Sequence, residues 1–277
     1  MTRLFSNIPI DPGTRTYLLG EEESRYIRDV LRMRAGESII ICDSARIDYE
    51  GTIANPAARQ IEIFLGPGVP NRNEAPYEAI LFQGLPKTDK MSSVIQKAVE
   101  LGAVGICPVA CSRSVVKIGS RDTSEKTQRW QKVALEAARQ SGRGMIPRVF
   151  EPMSFRKSVD EACRTSELVL IPWEEERSIS IFEVLESLAD KPGGAPARTF
   201  EKQETAPGAI VGDQVFDHKA SPRISIFIGP EGGFDGKEVE YAISKGAHAV
   251  SLGKRILRTE TAGLAVLSML LYRLELP

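Results

Sequence analysis

From Tyr77 to the C-terminus, patterns typical of strands alternate with patterns typical of helices. Apolar runs such as "YEAILFQGL", "VGICPV", "ELVLIP" and "RISIFIG" indicate buried strands, whereas "DKMSSVIQKAVELG" and "DGKEVEYAISKG" have the spacing of amphipathic helices. Strands separated by helices pair in parallel, because each helix carries the chain back across the sheet. The sequence therefore predicts an α/β fold with a mostly parallel sheet.

The first seventy or so residues have a different pattern. "TYLLG", "SIIICD", "RIDYEGTIA" and "QIEIFLG" predict short strands separated by turn residues, with one helix near Glu22 to Met33. We therefore predict a small β-barrel domain over residues 1–72 and a second domain over residues 73–277. Within the latter, residues 191–222 are rich in Pro, Gly and charge, and we interpret them as a flexible insertion.

Composition and charge exclude several classes of protein. Lys and Arg number 36 against 37 Asp and Glu, which excludes a wholly basic nucleic-acid binder but leaves a local basic face open. The longest strongly apolar run, "GLAVLSMLLY", is too short to span a bilayer, and the N-terminus has no apolar segment like that of a signal peptide. We expect a cytoplasmic protein without membrane contact.

The cysteines and histidines do not indicate a metal site. None of the four cysteines forms Cys-x-x-Cys, and the two histidines leave few ligands for zinc. We therefore expect no metal, and we interpret the cysteines as reduced, buried thiols.

Three loops are candidates for ligand binding, because ligands of parallel sheets bind outside the carboxyl ends of the strands. They are "LVLIPWEEE" (168–176), "FIGPEGGFDGKE" (227–238) and "LGKRILRTETA" (252–262). In the second loop, glycines would let the backbone turn tightly and approach a ligand, and proline would stiffen the turn. The loop matches neither the dinucleotide-binding nor the Walker A pattern.

The third loop places four charges between an apolar strand and an apolar helix. Thr259 is a reasonable helix N-cap, and Glu260 would be favourable in the first helical turn. Neither explanation covers Arg255 and Arg258, because buried cations need a partner or a ligand. After Ala262 the helix is apolar nearly all round, so we expect it to be buried on more than one side, partly by a second subunit.

"IGPEGGF" followed by "LGKRILRTETA" closely resembles the ribosomal RNA small subunit methyltransferase E family of the SPOUT (trefoil-knotted) superfamily. "KTDKMSSVIQKAVELGAVGICPV", "CSRSVVK", "EAARQSGRGMIPRV" and "RYIRDVLRMRAGESI" extend the resemblance over nearly the whole chain. Two positions differ from the residues usual in the family. Arg139 stands where an acidic residue is frequent, and Tyr26 stands where histidine is common.

The resemblance implies a methyltransferase with a C-terminal trefoil knot and an N-terminal PUA-like barrel. It would use S-adenosylmethionine to methylate N3 of one uridine in 16S rRNA, on the assembled 30S subunit. The residues that it assigns to cofactor binding are Leu170, Pro172, Gly229, Pro230, Gly232, Gly233, Leu252, Gly253, Ile256, Leu257, Thr261 and Ala262. Core packing is the alternative explanation for Leu252, Ile256 and Leu257.

Four charged residues are candidates for catalysis. Arg255 and Arg258 could stabilise a uracil anion or bind phosphate. Glu231 and Glu260 are candidate bases, although a favourable charge at a helix N-terminus explains both glutamates equally well.

RNA contacts are expected from two groups of basic residues. Arg25, Arg28 and Arg32 have the spacing of one helical face, with Ile27, Val30 and Leu31 opposite, and an ordinary solvated face is the alternative. Further candidates in the second domain are Lys87, Lys90, Arg113, Lys117 and Arg143. A ribose 2′-O-methyltransferase of the same superfamily and a non-catalytic RNA-binding module are the alternative functions. We also expect a homodimer formed through the last helix.

Overall fold

The computed structural model of the protein describes residues 1–87, 90–114, 120–189 and 221–276. The chain forms two compact units. The first comprises Met1–Glu74 and Leu135–Ile146, and the second comprises Ala75–Ala134 and Pro147–Pro277. Residues 191–220 of the predicted insertion lie outside the described residues, so its conformation stays a prediction.

The first unit contains a five-stranded sheet. Its strands are β1 (Thr2–Phe5), β2 (Thr16–Leu18), β3 (Ser38–Cys42), β4 (Ile47–Ile53) and β5 (Glu62–Pro70). They lie in the order β1-β3-β4-β5-β2, and β1 pairs in parallel with β3 while the other pairs are antiparallel. Alternating side chains such as Ile39, Ile41, Ile61 and Ile63 are fully buried and form the core of this unit.

The helix predicted near Glu22 to Met33 is shorter than expected and changes type within its length. α1 covers Glu21–Arg25, and the next five residues, Tyr26–Val30, form a π-helical turn. In this turn the Leu31 N–H donates a hydrogen bond of 3.0 Å to a carbonyl five residues earlier. The turn breaks the 3.6-residue period on which the prediction of a shared arginine face depended.

That prediction is therefore wrong for Arg32. Its φ of 53° is left-handed and lies beyond the end of the helix. The apolar face is also smaller than expected, because Ile27 is fully buried but Val30 and Leu31 are 65% and 36% exposed.

The second unit contains a seven-stranded sheet. Its strands are β6 (Glu78–Gly84), β7 (Gly105–Ala110), β8 (Arg148–Val149), β9 (Met153–Ser154), β10 (Leu168–Pro172), β11 (Arg223–Ile228) and β12 (His248–Val250). The order is β12-β10-β11-β6-β7-β8, with β9 also paired to β7. Every pairing between these strands is parallel, as the alternation of strands and helices predicted.

Six helices accompany these strands along the chain. They are α2 (Lys90–Glu100), α3 (Ser120–Ser141), α4 (Phe155–Thr165), α5 (Ile181–Ala189), α6 (Gly236–Ser244) and α7 (Thr259–Leu270). The C-terminal end of α3 belongs to the first unit. Beside α4 and α6, the core of the second unit contains the stacked rings of Phe82 and Phe227, whose centroids are 4.5 Å apart. None of the helices in the described ranges is long and apolar enough to cross a membrane.

The last helix, α7, packs against α2, β6 and β11. Gly263 allows this close approach, because a Cβ there would lie 3.1 Å from a methyl group of Leu81. The helix begins one residue earlier than expected, so Arg258 is its N-cap and Thr259 is its first residue. Thr259 therefore does not cap the helix, and its hydroxyl has another partner.

Candidate functional site

The three loops singled out from the sequence meet at the carboxyl ends of β10 and β11, beside the N-terminus of α7. They line a cavity of about 350 Å³. Its walls are formed by Pro172, Trp173 and Glu174 after β10, by residues of 228–234 after β11, and by residues 256–260 with Ala262 before and within α7. The volume is in the range of small-molecule sites, so the cavity is the candidate site.

A second cavity of about 770 Å³ adjoins the first. Both contain the residues after β10 together with Ile256, Leu257 and Ala262, and the second adds residues 251–255 and several polar residues of 176–183. The two cavities thus share one wall. Most residues predicted to bind a ligand line one of them: Pro172, Gly229, Pro230, Gly233, Leu252, Gly253, Ile256, Leu257 and Ala262.

Three predicted ligand contacts line neither cavity. Leu170 is fully buried within β10 between β11 and β12, so a direct contact with a ligand does not fit its position. Thr261 is exposed on the first turn of α7. A Cβ at Gly232 would lie 3.2 Å from the Cβ of Arg113, so this glycine makes room for an arginine rather than for a ligand.

Glycines determine the shape of the loop after β11. A Cβ at Gly84 would lie 2.6 Å from the backbone nitrogen of Pro230 and 2.8 Å from the carbonyl carbon of Gly229, closer than real contacts allow. The end of β6 therefore packs directly on this loop. Gly233 has a φ of +68°, which few residues other than glycine adopt readily.

The same loop ends in a stable helix start. The Asp235 side chain accepts a hydrogen bond of 3.1 Å from the Lys237 N–H. The Glu238 side chain in turn accepts a hydrogen bond of 3.0 Å from the Asp235 N–H. This capping box follows from the sequence "DGKE" and fixes where α6 begins. The second carboxylate oxygen of Glu238 accepts the Ser112 N–H at 2.8 Å, which ties the loop after β7 to the same place.

A buried polar side chain that sequence reasoning missed connects two walls of the site. Gln83 is fully buried in β6, and its Nε2 donates a hydrogen bond of 2.8 Å to the Thr259 hydroxyl. That hydroxyl donates in turn to the Gly229 carbonyl at 2.6 Å. The two loops on either side of the cavity are thus held together through a single threonine.

Two of the carboxylates in the cavity share one lysine as an ion-pair partner. Lys90 Nζ lies 3.2 and 3.3 Å from the two Glu260 oxygens and 3.8 Å from Glu231 Oε1. Glu231 also accepts the Lys87 backbone N–H at 2.9 Å. The pKa of Glu260 is lowered, first by a hydrogen bond from its own backbone N–H at the start of α7 and then by Lys90. Lys90, expected to contact RNA, therefore already has two protein partners.

The two arginines of the third loop are placed differently. Arg258 lines the first cavity and Arg255 the second, and both are exposed. Neither guanidinium forms a hydrogen bond or ion pair with any described residue. Arg258 is near enough to Glu260 to help lower the pKa of that carboxyl, but both guanidinium groups keep their hydrogen-bond donors available for an anion.

The remaining basic candidates have various environments. Arg113 donates to the Gly232 carbonyl at 3.1 Å and lies 3.6 Å from a carboxylate oxygen of Asp235. Lys87 is exposed beside the site. Lys117 lies outside the described residues. Lys87 and Arg113 thus border the glycine loop.

Arg143, predicted to contact RNA, is buried in the first unit. It is 2% exposed, and its guanidinium donates to both carboxylate oxygens of Glu74 at 2.9 and 2.7 Å within the first unit. A guanidinium that is buried and already paired cannot bind phosphate, so the predicted RNA contact is wrong. In the same unit Arg28 donates to the Ala58 carbonyl at 2.8 Å, whereas Arg25 and Arg32 are exposed.

The described residues contain no group of three His, Cys, Asp or Glu side chains that could hold a metal ion.

Two further cavity residues, Trp173 and Glu174, were not predicted individually, although both belong to the loop "LVLIPWEEE". Their position directly after a parallel strand was the signal that could have identified them.

Comparisons with known proteins agree on one family. The family described as RNA methyltransferase domain matches residues 73–271, and the one described as RNA methyltransferase PUA domain matches residues 19–65. Ribosomal RNA small subunit methyltransferase E of Bacillus subtilis (strain 168) is 30% identical over 264 residues, which cover 94% of this chain and 91% of that protein. The protein of that name from Synechocystis is 29% identical over 263 residues, which cover 94% and 74%.

Two solved structures are similar over nearly their whole length. Ribosomal RNA small subunit methyltransferase E from Neisseria gonorrhoeae, bound to S-adenosylmethionine, is 26% identical with a TM-score of 0.76, covering 98% of this chain and 97% of that one. A methyltransferase from Legionella pneumophila in complex with the same cofactor is 27% identical with a TM-score of 0.75, again covering 98% and 97%.

Proposed function

The chain belongs to the ribosomal RNA small subunit methyltransferase E family of S-adenosylmethionine-dependent rRNA methyltransferases, and we propose that its specific reaction is methylation of N3 of one uridine in 16S rRNA. The proposed substrate is the assembled 30S subunit. The observation that carries the proposal is the cavity where three loops meet, because its glycine-rich loop and free arginines suit a nucleoside cofactor beside an anionic substrate.

The residues present fit S-adenosylmethionine. The walls combine apolar side chains with closely packed backbone, which suits an adenine ring and a ribose. We propose that Pro172, Gly229, Pro230, Gly233, Leu252, Gly253, Ile256, Leu257 and Ala262 hold these parts. When bound, the cofactor supplies an electrophilic methyl group.

The protein's own contribution is to orient the uracil and to stabilise its N3 anion. Arg258 and Arg255 are the proposed cations, because neither guanidinium forms a hydrogen bond or ion pair with a described residue. Arg258 lines the first cavity and Arg255 the second. Of the two candidate bases, Glu260 is the weaker, because hydrogen bonding and Lys90 lower its pKa. Glu231 therefore remains the better candidate to accept the N3 proton.

RNA binding is proposed for both parts of the chain. In a PUA-like barrel domain over residues 1–72, the exposed side chains of Arg25 and Arg32 would contact the phosphate backbone. In a methyltransferase domain over residues 73–277, Lys87 and Arg113 border the glycine loop and would do the same. Since rRNA is modified in the cytoplasm, the proposed location is cytoplasmic.

A trefoil knot and a homodimer belong to the same proposal. After β12, at one edge of the sheet, the chain returns to α7, which packs on β11 and β6. In the proposed knot, this returning segment also threads through a loop formed earlier in the chain. The dimer would form through the C-terminal helix and the residues just after it, where Tyr272 is 75% exposed and Leu276 is 51% exposed. Light scattering at micromolar concentration should give twice the monomer mass of 30.4 kDa, and the monomer mass would contradict the dimer.

The reaction is tested with methyl-labelled S-adenosylmethionine and 30S subunits that lack the modification. Nucleoside analysis of the 16S rRNA should find the label in 3-methyluridine. Label on a ribose hydroxyl would overturn the N3 assignment in favour of 2′-O-methylation, and no binding heat with the cofactor would leave a non-catalytic RNA-binding module. The variant Arg258→Gln should lose most of the activity, whereas Arg164→Gln, on the exposed surface of α4, should keep it.

A further inference from the structure

One carboxylate in the candidate site has no partner. Glu174 follows β10, is exposed and lines both cavities. It forms no hydrogen bond or ion pair with any described residue. A negative charge at the wall of a small-molecule site, with no ion pair to any described residue, suits a positively charged part of a ligand.

The other carboxylates of the first cavity do not offer this. Glu260 is bonded to Lys90 and to its own backbone N–H, and Glu231 accepts the Lys87 N–H and lies near Lys90. Of the three carboxylates in this cavity, Glu174 is the one with no hydrogen bond or ion pair to a described residue.

The backbone opposite Glu174 leaves room for its side chain. A Cβ at Gly233 would lie 3.3 Å from Glu174 Oε1, tighter than most real contacts. Because Gly233 has no side chain, the carboxylate can lie close to the glycine loop, at the junction between the two cavities.

We propose that Glu174 binds the α-ammonium group of the methionine part of S-adenosylmethionine, and so selects a cofactor that carries an amino acid over a plain nucleoside. The inference rests on the proposed cofactor site. Glu174 contributes a charge-assisted hydrogen bond to the end of the cofactor away from the adenine. It takes no part in methyl transfer itself, so its effect belongs to affinity.

Calorimetric titration of the full-length protein with three ligands tests this assignment. S-Adenosylmethionine has both the ammonium and the sulfonium, S-adenosylhomocysteine has only the ammonium, and 5′-methylthioadenosine has neither. Glu174→Gln keeps the size of the side chain and removes its charge. We expect this variant to bind S-adenosylmethionine and S-adenosylhomocysteine about tenfold more weakly than the wild type, as for loss of one charge-assisted hydrogen bond. Its affinity for 5′-methylthioadenosine should be unchanged.

The matched control is Glu175→Gln, the next carboxylate in the same loop, which is exposed but lines neither cavity. Its affinities should equal those of the wild type. Equal weakening of all three ligands by Glu174→Gln would overturn the inference, and so would weakening of S-adenosylmethionine alone, which would indicate the sulfonium. If the wild-type protein binds none of the three ligands, the cofactor site itself is wrong and the proposed function fails with it.

Discussion

The hydroxyl of Thr259 donates a hydrogen bond of 2.6 Å to the backbone carbonyl of Gly229, which joins the first residue of α7 to the loop after β11. Because the same hydroxyl accepts a hydrogen bond from the buried Gln83, one oxygen connects three segments of the second unit. Two of these segments form walls of the candidate cavity, so the shape of the site depends on this oxygen.

Replacing Thr259 by valine should destabilise the protein and lower its affinity for the cofactor. The change keeps the side-chain shape but removes one of the two hydrogen bonds of the Gln83 amide and the side-chain donor of the Gly229 carbonyl, at a cost of about 1–3 kcal/mol in the free energy of unfolding. Urea denaturation measures this cost. Thr259→Ser, which retains the hydroxyl, should lose much less, and equal losses in both variants would show that packing of the methyl group matters instead.

Gly84→Ala tests the close contact between β6 and the glycine loop. The added methyl group would meet backbone atoms of Pro230 and Gly229, which cannot move as a flexible side chain could. We expect a loss of about 1–3 kcal/mol in stability together with weaker cofactor binding. The control is Gly236→Ala at the start of α6, where a Cβ meets nothing within 4 Å and a small gain in stability is expected. Stability is measured by urea denaturation. A denaturation midpoint for Gly84→Ala equal to that of the wild type would contradict the close contact.

The pH dependence of stability should report on Glu260. Its pKa is lowered below the ordinary value of 4.5, so the folded state favours the carboxylate. The stabilisation is present above that value and is lost as the pH falls through the lowered pKa. Glu260→Gln should therefore lower the melting temperature by about 1–2 °C at pH 7.

That difference should shrink to nothing in acid, below the pKa of the folded state. Glu240→Gln, an exposed change on α6, should show no such trend. A difference between wild type and Glu260→Gln that stays constant with pH would exclude the charge as its cause.

The ion pair between Arg143 and Glu74 predicts a large effect within the first unit. Arg143→Met should cost about 3–5 kcal/mol in the free energy of unfolding, because it leaves a largely buried carboxylate without its cation. Adding Glu74→Gln should restore part of the loss, since the neutral amide can still accept the Gly144 N–H that the carboxylate accepts at 2.7 Å. A double variant less stable than Arg143→Met would contradict this account.

Thiol reactivity should distinguish one cysteine from the other three. Burial raises the pKa of Cys42 and of Cys107 to about 12 and also raises that of Cys111, so all three stay protonated and covered. Only Cys163 is partly exposed. Titration with a disulfide reagent at pH 8 should count one slow thiol in the native protein and four in denaturant. In Cys163→Ser the native count should fall to zero, and any residual reaction would indicate opening of the core.

The parallel sheet could be predicted because its central strands are buried on both faces and therefore appear as continuous apolar runs. The meeting of the three loops followed from the same prediction, since parallel strands end at one edge of the sheet. Strands β8 and β9 were missed because two residues are too few to show a period. β1 was missed because its sequence, "TRLF", has two polar residues followed by two apolar ones and so shows no alternation.

Other features depend on partners that are distant in sequence. Gln83 lies in a strand, and no pattern in the sequence marks it as a buried side chain that joins two segments by hydrogen bonds. Its partner, Thr259, is 176 residues away. Arg143 reads as a free cation until the fold brings Glu74 to it across 69 residues. Likewise the two unusual residues, Tyr26 and Arg139, prove to be in contact, with the guanidinium 4.7 Å above the ring.

The first compact unit takes its final segment, residues 135–146, from far along the chain. On the ribosome, the nascent N-terminal sheet therefore waits for this segment until more than half of the 277 residues have been made. At about 5–20 residues per second, that wait lasts on the order of seconds. During it, Glu74 has no Arg143 beside it, and the thiol of Cys42 has no Gly144 carbonyl to meet. A gene cut after codon 74 would thus encode a first unit that lacks residues 135–146 and the contacts they make.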